Sequence, residues 1–151
     1  MITEYPDKIF YAVEAVLTIA YNASSGAISS RDIAAKQGLP PRYLEVLMQR
    51  LVKEGILRGI RGPKGGYVLA KERRRITIAD ICTALSAPDD DKDAAHYAGT
   101  PLGKTLVMPL WRQAYGAWLA TLMKANLADL CEEAAKKGIK KHTSEKMDFT
   151  I

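Results

Sequence analysis

Lysine and arginine are the residues of this sequence whose placement most clearly suggests chemistry, because they are concentrated in one segment. Residues 31–75 contain twelve of them against four aspartates and glutamates, a surplus of eight positive charges in a chain whose net charge is +5. The segments 1–30 and 76–151 are both slightly acidic. Clustered cations attract phosphate groups, so residues 31–75 are a candidate surface for nucleic acid or an acidic membrane. The alternative is an ordinary solvated face.

Residues that could support catalysis or metal binding are sparse. Cys82 and Cys131 lie far apart and form no C-x-x-C pair. His96 and His142 stand without a cysteine or carboxylate partner at a metal-ligand spacing. We discern no Ser/His/Asp, Cys/His or paired-carboxylate arrangement. The sequence therefore predicts no enzyme, no metal and no cofactor, and both cysteines are interpreted as small core residues.

The chain is expected to be a cytoplasmic protein with no membrane partner. No apolar run approaches the roughly 18 residues of a membrane-spanning helix. The N-terminal sequence MITEYPDKIF lacks the basic and apolar regions of a signal peptide, and two isolated cysteines argue against a disulfide framework. A length of 151 residues allows one core plus an appended element.

Three helices and a hairpin are predicted to carry the basic segment. Apolar residues at three- and four-residue spacing predict a helix over 6–21. Serine and glycine caps predict a short helix over 30–38, and Pro41 opens a third helix that ends at Gly55. Two helices joined by a tight turn, the second more basic than the first, are typical of a helix-turn-helix.

A β-hairpin should follow the third helix directly. Two short β-prone runs, 56–61 and 67–70, are separated by the turn Gly62-Pro-Lys-Gly-Gly66. We interpret this hairpin as a wing, whose glycines let it approach a phosphate backbone closely. The turn is not a P-loop, because the G-K-[ST] ending and the following helix are both missing. Its positive charge comes from Arg58, Arg61 and Lys64.

Two further helices are predicted after the hairpin. Thr77 caps a helix that runs to Ser86, with Asp80 completing a capping box. A long helix lies within 100–125, and its regular part begins near Pro109, since proline in a helix interior costs about 3 kcal/mol. Residues at steps of three and four form a seam that we expect to pair two subunits, namely Trp111, Ala114, Tyr115, Trp118, Leu122 and Ala125.

A last helix completes the predicted fold class. Asn126 caps this helix, which runs over 127–137 and stops at Gly138. The fold class is mainly α: a winged helix-turn-helix with a two-stranded β wing, a long dimerisation helix and a short C-terminal helix. The predicted domains are a winged helix-turn-helix DNA-binding domain (1–87), a linker loop (88–100), the dimerisation and C-terminal helices (101–137) and a flexible tail (138–151).

Two motifs give the chain a family resemblance. Pro41-Arg-Tyr-Leu-Glu45 followed by Arg61-Gly-Pro-Lys-Gly-Gly-Tyr67 resembles the IscR/NsrR/CymR family of bacterial regulators, also called the Rrf-two family. Further similarity lies in residues 76–81, in Leu110-Trp111 and in residues 127–130, so the likeness runs from the first helix to about residue 135. It implies a homodimer that presents two winged helices to a partly palindromic DNA operator.

The resemblance is incomplete at the site where better-known members bind an iron–sulfur cluster. Those members carry three cysteines ahead of the long helix, and this sequence has none between Pro88 and Trp111. Met108 stands where the family can have a histidine ligand, and carboxylates replace thiolates poorly. We therefore expect a transcriptional regulator, a repressor, that answers to a small molecule, a thiol modification or a partner protein. The alternative is a helical interaction module that has lost operator binding.

The resemblance and the charge pattern together select the residues expected to contact double-stranded DNA. Similar arginines in the family reach the minor groove, so Arg61 is the first candidate, with a solvated hairpin arginine as the alternative. Recognition helices meet base edges near their N-terminal half. The full set is Arg31, Arg42, Tyr43, Glu45, Val46, Gln49, Arg50, Arg58, Arg61 and Lys64.

A small-molecule effector is expected where the 88–108 loop meets the long helix, because movement there would reach both winged helices. Aromatic and apolar walls with cationic handles suit a small anionic ligand, although plain structural packing is the alternative. Thiol sensing through the two cysteines ranks below both. The pocket residues are His96, Tyr97, Lys104, Met108, Trp111, Arg112 and Tyr115.

Overall fold

A computed structural model describes residues 7–86 and 99–141 of the chain. In this part of the protein, six α-helices surround one two-stranded antiparallel sheet. None of the described helices is long and apolar enough to cross a membrane. The elements are α1 (Asp7–Tyr21), α2 (Ser30–Gln37), α3 (Pro41–Lys53), β1 (Leu57–Ile60), β2 (Gly66–Leu69), α4 (Ile78–Ser86), α5 (Met108–Met123) and α6 (Leu127–Lys136).

Helices α2 and α3 begin and end at the predicted signals. Ser29 caps α2 by accepting a hydrogen bond from the backbone N–H of Asp32 at 3.1 Å. Gly38 ends α2 in the left-handed conformation, with a φ of 69°. Pro41 occupies the first turn of α3, where its missing N–H is not needed. The two helices are thus joined by only three residues, which confirms the predicted helix-turn-helix.

Strands β1 and β2 form the predicted hairpin. Leu57 pairs with Leu69 and Ile60 with Gly66. Because side chains alternate across a strand, the pair Gly59 and Tyr67 lies on one face of the hairpin, and the pair Arg58 and Val68 lies on the other. The hairpin therefore presents two chemically different faces.

Helix α4 begins with the predicted capping box. The N–H of Thr77 donates to Asp80 Oδ2 at 2.9 Å, and the N–H of Asp80 donates to Thr77 Oγ1 at 3.1 Å. Helix α5 begins at Met108, next to Pro109 as predicted, and a π-helical turn over Gly103–Val107 leads into it. A proline that donates no N–H disrupts the preceding turn, so a wider turn at this point has a local cause.

The hydrophobic core contains residues of helices that are far apart in the sequence. Val16, Leu44, Leu51 and Ile81 are fully buried and bring α1, α3 and α4 together. Leu127 of α6 is also fully buried, and α6 packs against α1. The N–H of Leu127 donates to the Ile76 carbonyl at 3.0 Å, which fastens the start of α6 beside the start of α4. The last helix therefore belongs to the same core as the winged helix-turn-helix.

Candidate nucleic-acid interface

A cleft of about 510 Å³ separates the wing from α3. We call it the front cleft. Glu45 and Gln49 line it from α3, and Arg61 and Gly62 line it from the hairpin turn. Ser29 and Ser30 reach it from the N-terminus of α2. The front cleft thus combines residues from the N-terminus of α2, from α3 and from the hairpin turn.

A second cleft, of about 440 Å³, continues along the same side of α3. Arg31 of α2 and Arg42 and Val46 of α3 line it, and it shares Glu45 and Gln49 with the front cleft. Val46 is 61% exposed and is the apolar member of this cleft apart from Pro41. The two clefts form one continuous surface, which we call the α3–wing surface.

The wing is held in place by backbone contacts with the segment before α2. Tyr67 N–H donates to the Ile28 carbonyl at 2.8 Å, and Ile28 N–H donates to the Tyr67 carbonyl at 3.2 Å. At Gly66 a Cβ atom would lie 2.3 Å from the carbonyl carbon and oxygen of Ile28, so only glycine allows this approach. The turn glycine Gly65 is equally crowded, since a Cβ there would lie 2.3 Å from the Ile60 carbonyl oxygen.

Glu45 is the acidic member of the α3–wing surface. Its carboxylate is exposed, and it lies close enough to Tyr67 to affect that phenol. Burial, and secondly the negative charge of Glu45, raise the pKa of Tyr67 above its usual value. Tyr67 therefore stays a neutral hydroxyl at physiological pH and can donate or accept a hydrogen bond in the front cleft.

The other residues that were predicted to contact DNA lie at different positions in the structure. Tyr43 is 41% exposed on α3, and Lys64 is exposed in the hairpin turn. Arg50 is half-buried with its Nε atom 3.7 Å from Glu54 Oε1, and it lines neither cleft of the α3–wing surface. Arg58 lies on the hairpin face opposite Tyr67. The structure thus brings Arg31, Arg42, Glu45, Val46, Gln49 and Arg61 together and places Arg50 and Arg58 elsewhere.

The predicted dimerisation seam divides into two parts along α5. Trp118, Leu122 and Ala125 are half-buried and pack against the hydrophobic core. Trp111 and Tyr115 are 63% and 44% exposed. The exposed part continues towards the N-terminus through the 62%-exposed Leu106 and then Leu102. Only the N-terminal part of the seam is therefore available to another molecule.

The residues of the expected effector pocket are only partly visible. His96 and Tyr97 lie outside the described residues. Lys104, Trp111 and Arg112 are exposed, and Met108 is half-buried. Tyr115 donates from its hydroxyl to Ser86 Oγ at 3.4 Å, which joins α5 to the end of α4. None of these residues lines either cleft of the α3–wing surface, so the effector pocket stays a prediction.

A helix-turn-helix followed by a hairpin, with cations and polar groups facing outward from both, is the architecture of a winged-helix DNA-binding protein. The Rrf2 family model, described as an iron-dependent transcriptional regulator, matches residues 5–133. The chain is 35% identical to the HTH-type transcriptional regulator IscR of Cronobacter sakazakii over 121 residues, 80% of this chain and 75% of that protein. An IscR of Escherichia coli O1:K1 is 34% identical over the same proportions.

Comparison with solved structures also finds transcriptional regulators of this kind. The IscR of T. potens matches with a TM-score of 0.72 and 27% identity, over 99% of this chain and 98% of that one. CymR, the global cysteine regulator of B. subtilis, matches with a TM-score of 0.65 and 27% identity, over 88% and 98%. The protein belongs to the Rrf2 family of transcriptional regulators. Its relatives are DNA-binding regulators and not enzymes, which confirms the predicted fold class and this part of the predicted function.

The residues of this chain do not fit an iron–sulfur cluster. Such clusters need several thiolates, and the chain has only Cys82 and Cys131. Cys82 is buried in α4 and Cys131 in α6. Burial raises the pKa of both thiols, and for Cys131 the nearby Arg73 and Lys141 offset this only in part, so both stay protonated. Among the described residues no group of three or more potential ligands is close enough to hold a metal.

Sequence reasoning missed several residues of the α3–wing surface. Ser29 and Ser30 are predicted only as helix caps, and Tyr67 only as a strand residue and as part of the family motif. Their contribution depends on the bridge between Ile28 and Tyr67, which is a contact between segments almost forty residues apart. The paired glycines Gly65 and Gly66 were the available signal, since two adjacent glycines indicate a close backbone approach.

Proposed function

We propose that this protein is a cytoplasmic homodimeric repressor that binds a partly palindromic DNA operator and responds to a signal other than an iron–sulfur cluster. The α3–wing surface is the observation on which the DNA-binding part rests, because it places cations of α2, α3 and the wing beside groups able to contact bases. Repression would follow from occupation of the operator by the dimer.

Two kinds of DNA contact are combined on this surface. Arg31 and Arg42 line the second cleft and suit DNA phosphate groups. Glu45 and Gln49 line both clefts and suit base edges, since a carboxylate accepts from cytosine and an amide pairs with adenine. Arg61, at the tip of the wing, suits the minor groove next to it.

The exposed apolar stripe at the start of α5 supports the homodimer. Leu106, Leu110 and Trp111 are each more than half exposed, and so is Leu102, within fifteen residues of the 44%-exposed Tyr115. A patch of this kind marks an interface in soluble proteins. Pairing two copies of α5 would set the distance between two α3 helices, as a palindromic operator requires.

The number and position of the cysteines support a signal other than an iron–sulfur cluster. Both cysteines are buried in helices, and the 88–111 segment supplies no thiolate. Protein purified without oxygen should therefore be colourless and contain no stoichiometric iron, as measured by absorption spectroscopy and iron analysis. A brown preparation with acid-labile sulfide would disprove this part of the proposal.

Binding of the operator should depend steeply on salt and on Arg61. If each dimer neutralises about six phosphates, the logarithm of the association constant should fall with the logarithm of salt concentration with a slope of about −5. Arg61→Ala should weaken binding by about 1–3 kcal/mol. Fluorescence anisotropy with DNA from upstream of the gene measures both.

Lys124→Ala is the matched control, because Lys124 is an exposed cation at the far end of α5. It removes the same charge away from the α3–wing surface and should leave the affinity within about twofold of the wild type. Equal losses in Arg61→Ala and Lys124→Ala would show that only net charge matters and would contradict the proposed site.

A further inference from the structure

The opposite face of the hairpin carries a second, separate basic cleft. It has a volume of about 300 Å³ and lies between the hairpin and the C-terminal end of α1. We call it the rear cleft. Arg58 and Val68, which pair across the hairpin, line one side of it, and Ile19 and Gly26 line the other. It shares no lining residue with the α3–wing surface.

The charge of the rear cleft is entirely positive. Arg58, Lys71 and Arg73 line it, and no aspartate or glutamate does. Within residues 7–86 and 99–141, none of these three cations takes part in a salt bridge. Three like charges around one small space repel each other, and a bound anion would remove that repulsion.

The floor of the rear cleft is apolar. Ile19 is 1% exposed, and Val68 and Leu69 are half-buried. An apolar floor with a few converging charged groups is the usual composition of a small-ligand site, and a volume of about 300 Å³ is at the small end of that range. These features suit a compact organic molecule with two anionic groups and a short carbon skeleton.

We propose that the rear cleft binds a small organic anion, with two carboxylate or phosphate groups on a short carbon skeleton, and that the bound anion changes the affinity of the protein for DNA. Arg58 and Lys71 bind the two anionic groups, and Ile19 contacts the carbon skeleton. The change in DNA affinity rests on the function proposed above, whereas the binding of the anion does not depend on that function.

The position of the cleft explains how a bound anion would act on the α3–wing surface. Arg58 lies three residues before Arg61, on a strand that continues into the wing tip. Gly26 lies two residues before Ile28, which is bonded to Tyr67 of the hairpin and precedes the cap of α2. A ligand that joins the end of α1 to β1 therefore favours one angle between the wing and α2. DNA affinity changes if DNA binds that arrangement more or less tightly than the other.

Anion binding is tested by isothermal titration calorimetry of the full chain with methylenediphosphonate and with succinate at constant ionic strength. The wild type should bind at least one of them, and Arg58→Gln and Lys71→Gln should each weaken binding by about tenfold. Lys124→Gln and Arg61→Gln should bind as the wild type does. All four residues are exposed, so the variants should fold, which circular dichroism checks.

Two results of this titration would overturn the proposal. The first is that neither probe binds the wild type at millimolar concentration. The second is that Arg61→Gln loses binding and Arg58→Gln retains it, because the anion would then occupy the α3–wing surface.

A second experiment measures operator binding with and without the probe anion. The probe should shift the affinity of the wild type and of Lys124→Gln, and it should leave that of Arg58→Gln unchanged. If Arg58→Gln weakens operator binding as much as Arg61→Gln and the probe has no effect, the rear cleft contacts DNA phosphates and the proposal fails. If the wild type binds the probe and no DNA, the function proposed above fails while the anion site stands.

Discussion

Gly66 shows how a single residue controls the position of the wing. Its φ of 154° and its contact with the Ile28 backbone both require the absence of a side chain. The two hydrogen bonds between Ile28 and Tyr67 lie directly beside it. A methyl group at Gly66 would therefore push the hairpin away from the segment that leads into α2.

Gly66→Ala should destabilise the protein and Gly59→Ala should not. The added Cβ at Gly66 meets backbone atoms at 2.3 Å, and overpacking of this kind costs about 1–3 kcal/mol. At Gly59, in the same hairpin, a Cβ has nothing within 4 Å. Urea denaturation followed by circular dichroism measures both free energies of unfolding. Equal stability of the two variants would mean that the wing is not held against α2.

At the scale of elements, α6 is a structural part of the winged helix. Asn126 caps it by accepting from the Asp129 N–H at 2.9 Å, and Leu127 and Cys131 fill the space against α1. Pairs of lysine and glutamate lie four residues apart on its exposed side. The linear division predicted at residue 87 stays a prediction, but the core it would separate includes residues from both sides.

Leu127→Ala should therefore weaken the whole fold. Leu127 is fully buried, and removing a buried leucine side chain costs about 2–5 kcal/mol. Met123→Ala is the matched control, since Met123 is 64% exposed and its removal should change the stability by less than about 0.5 kcal/mol. Thermal unfolding of both variants checks this. A Leu127→Ala protein as stable as the wild type would show that α6 is not part of the core.

Helix α5 serves two purposes along its length. Its C-terminal half packs Trp118 against the subunit's own core, with the Trp118 and Tyr115 rings 5.5 Å apart. Its N-terminal half leaves Trp111 exposed. A charged residue in place of Trp118 would thus disturb the core. Only a charged residue in place of Trp111 tests association without disturbing the core.

At the scale of the whole molecule, Trp111→Glu should produce a folded monomer. Trp111 is 63% exposed in the subunit, so glutamate costs little there, whereas at a dimer interface it would be buried without a partner. Sedimentation velocity should show the loss of the dimer, and operator affinity should fall because only one half-site is held. Gln113→Glu adds the same charge at another exposed position of α5 and should remain dimeric. If Trp111→Glu stays dimeric, the interface lies elsewhere.

Much of this molecule could be predicted from the sequence, because its signals act over a few residues. Ser29, Gly38, Thr77 with Asp80, and Asn126 mark helix ends through hydrogen bonds within one turn. The Gly/Pro turn predicts the hairpin in the same local way, and the concentration of cations in 31–75 marks a candidate surface for nucleic acid or an acidic membrane before any contact is known. The motifs around α3 and the wing were sufficient to identify the family.

Tertiary structure alone decided which surface each of these residues reaches. Arg58 and Arg61 are alike in type and close in sequence, yet the pairing of β1 with β2 and the Ile28–Tyr67 bridge direct them to different clefts. Trp111 and Trp118 lie in one periodic seam, and only the packing of α5 separates the exposed tryptophan from the half-buried one. The physical reason is the same in both cases. Periodicity and capping are local, whereas the choice between core, cleft and free surface depends on segments that meet only after the chain has folded.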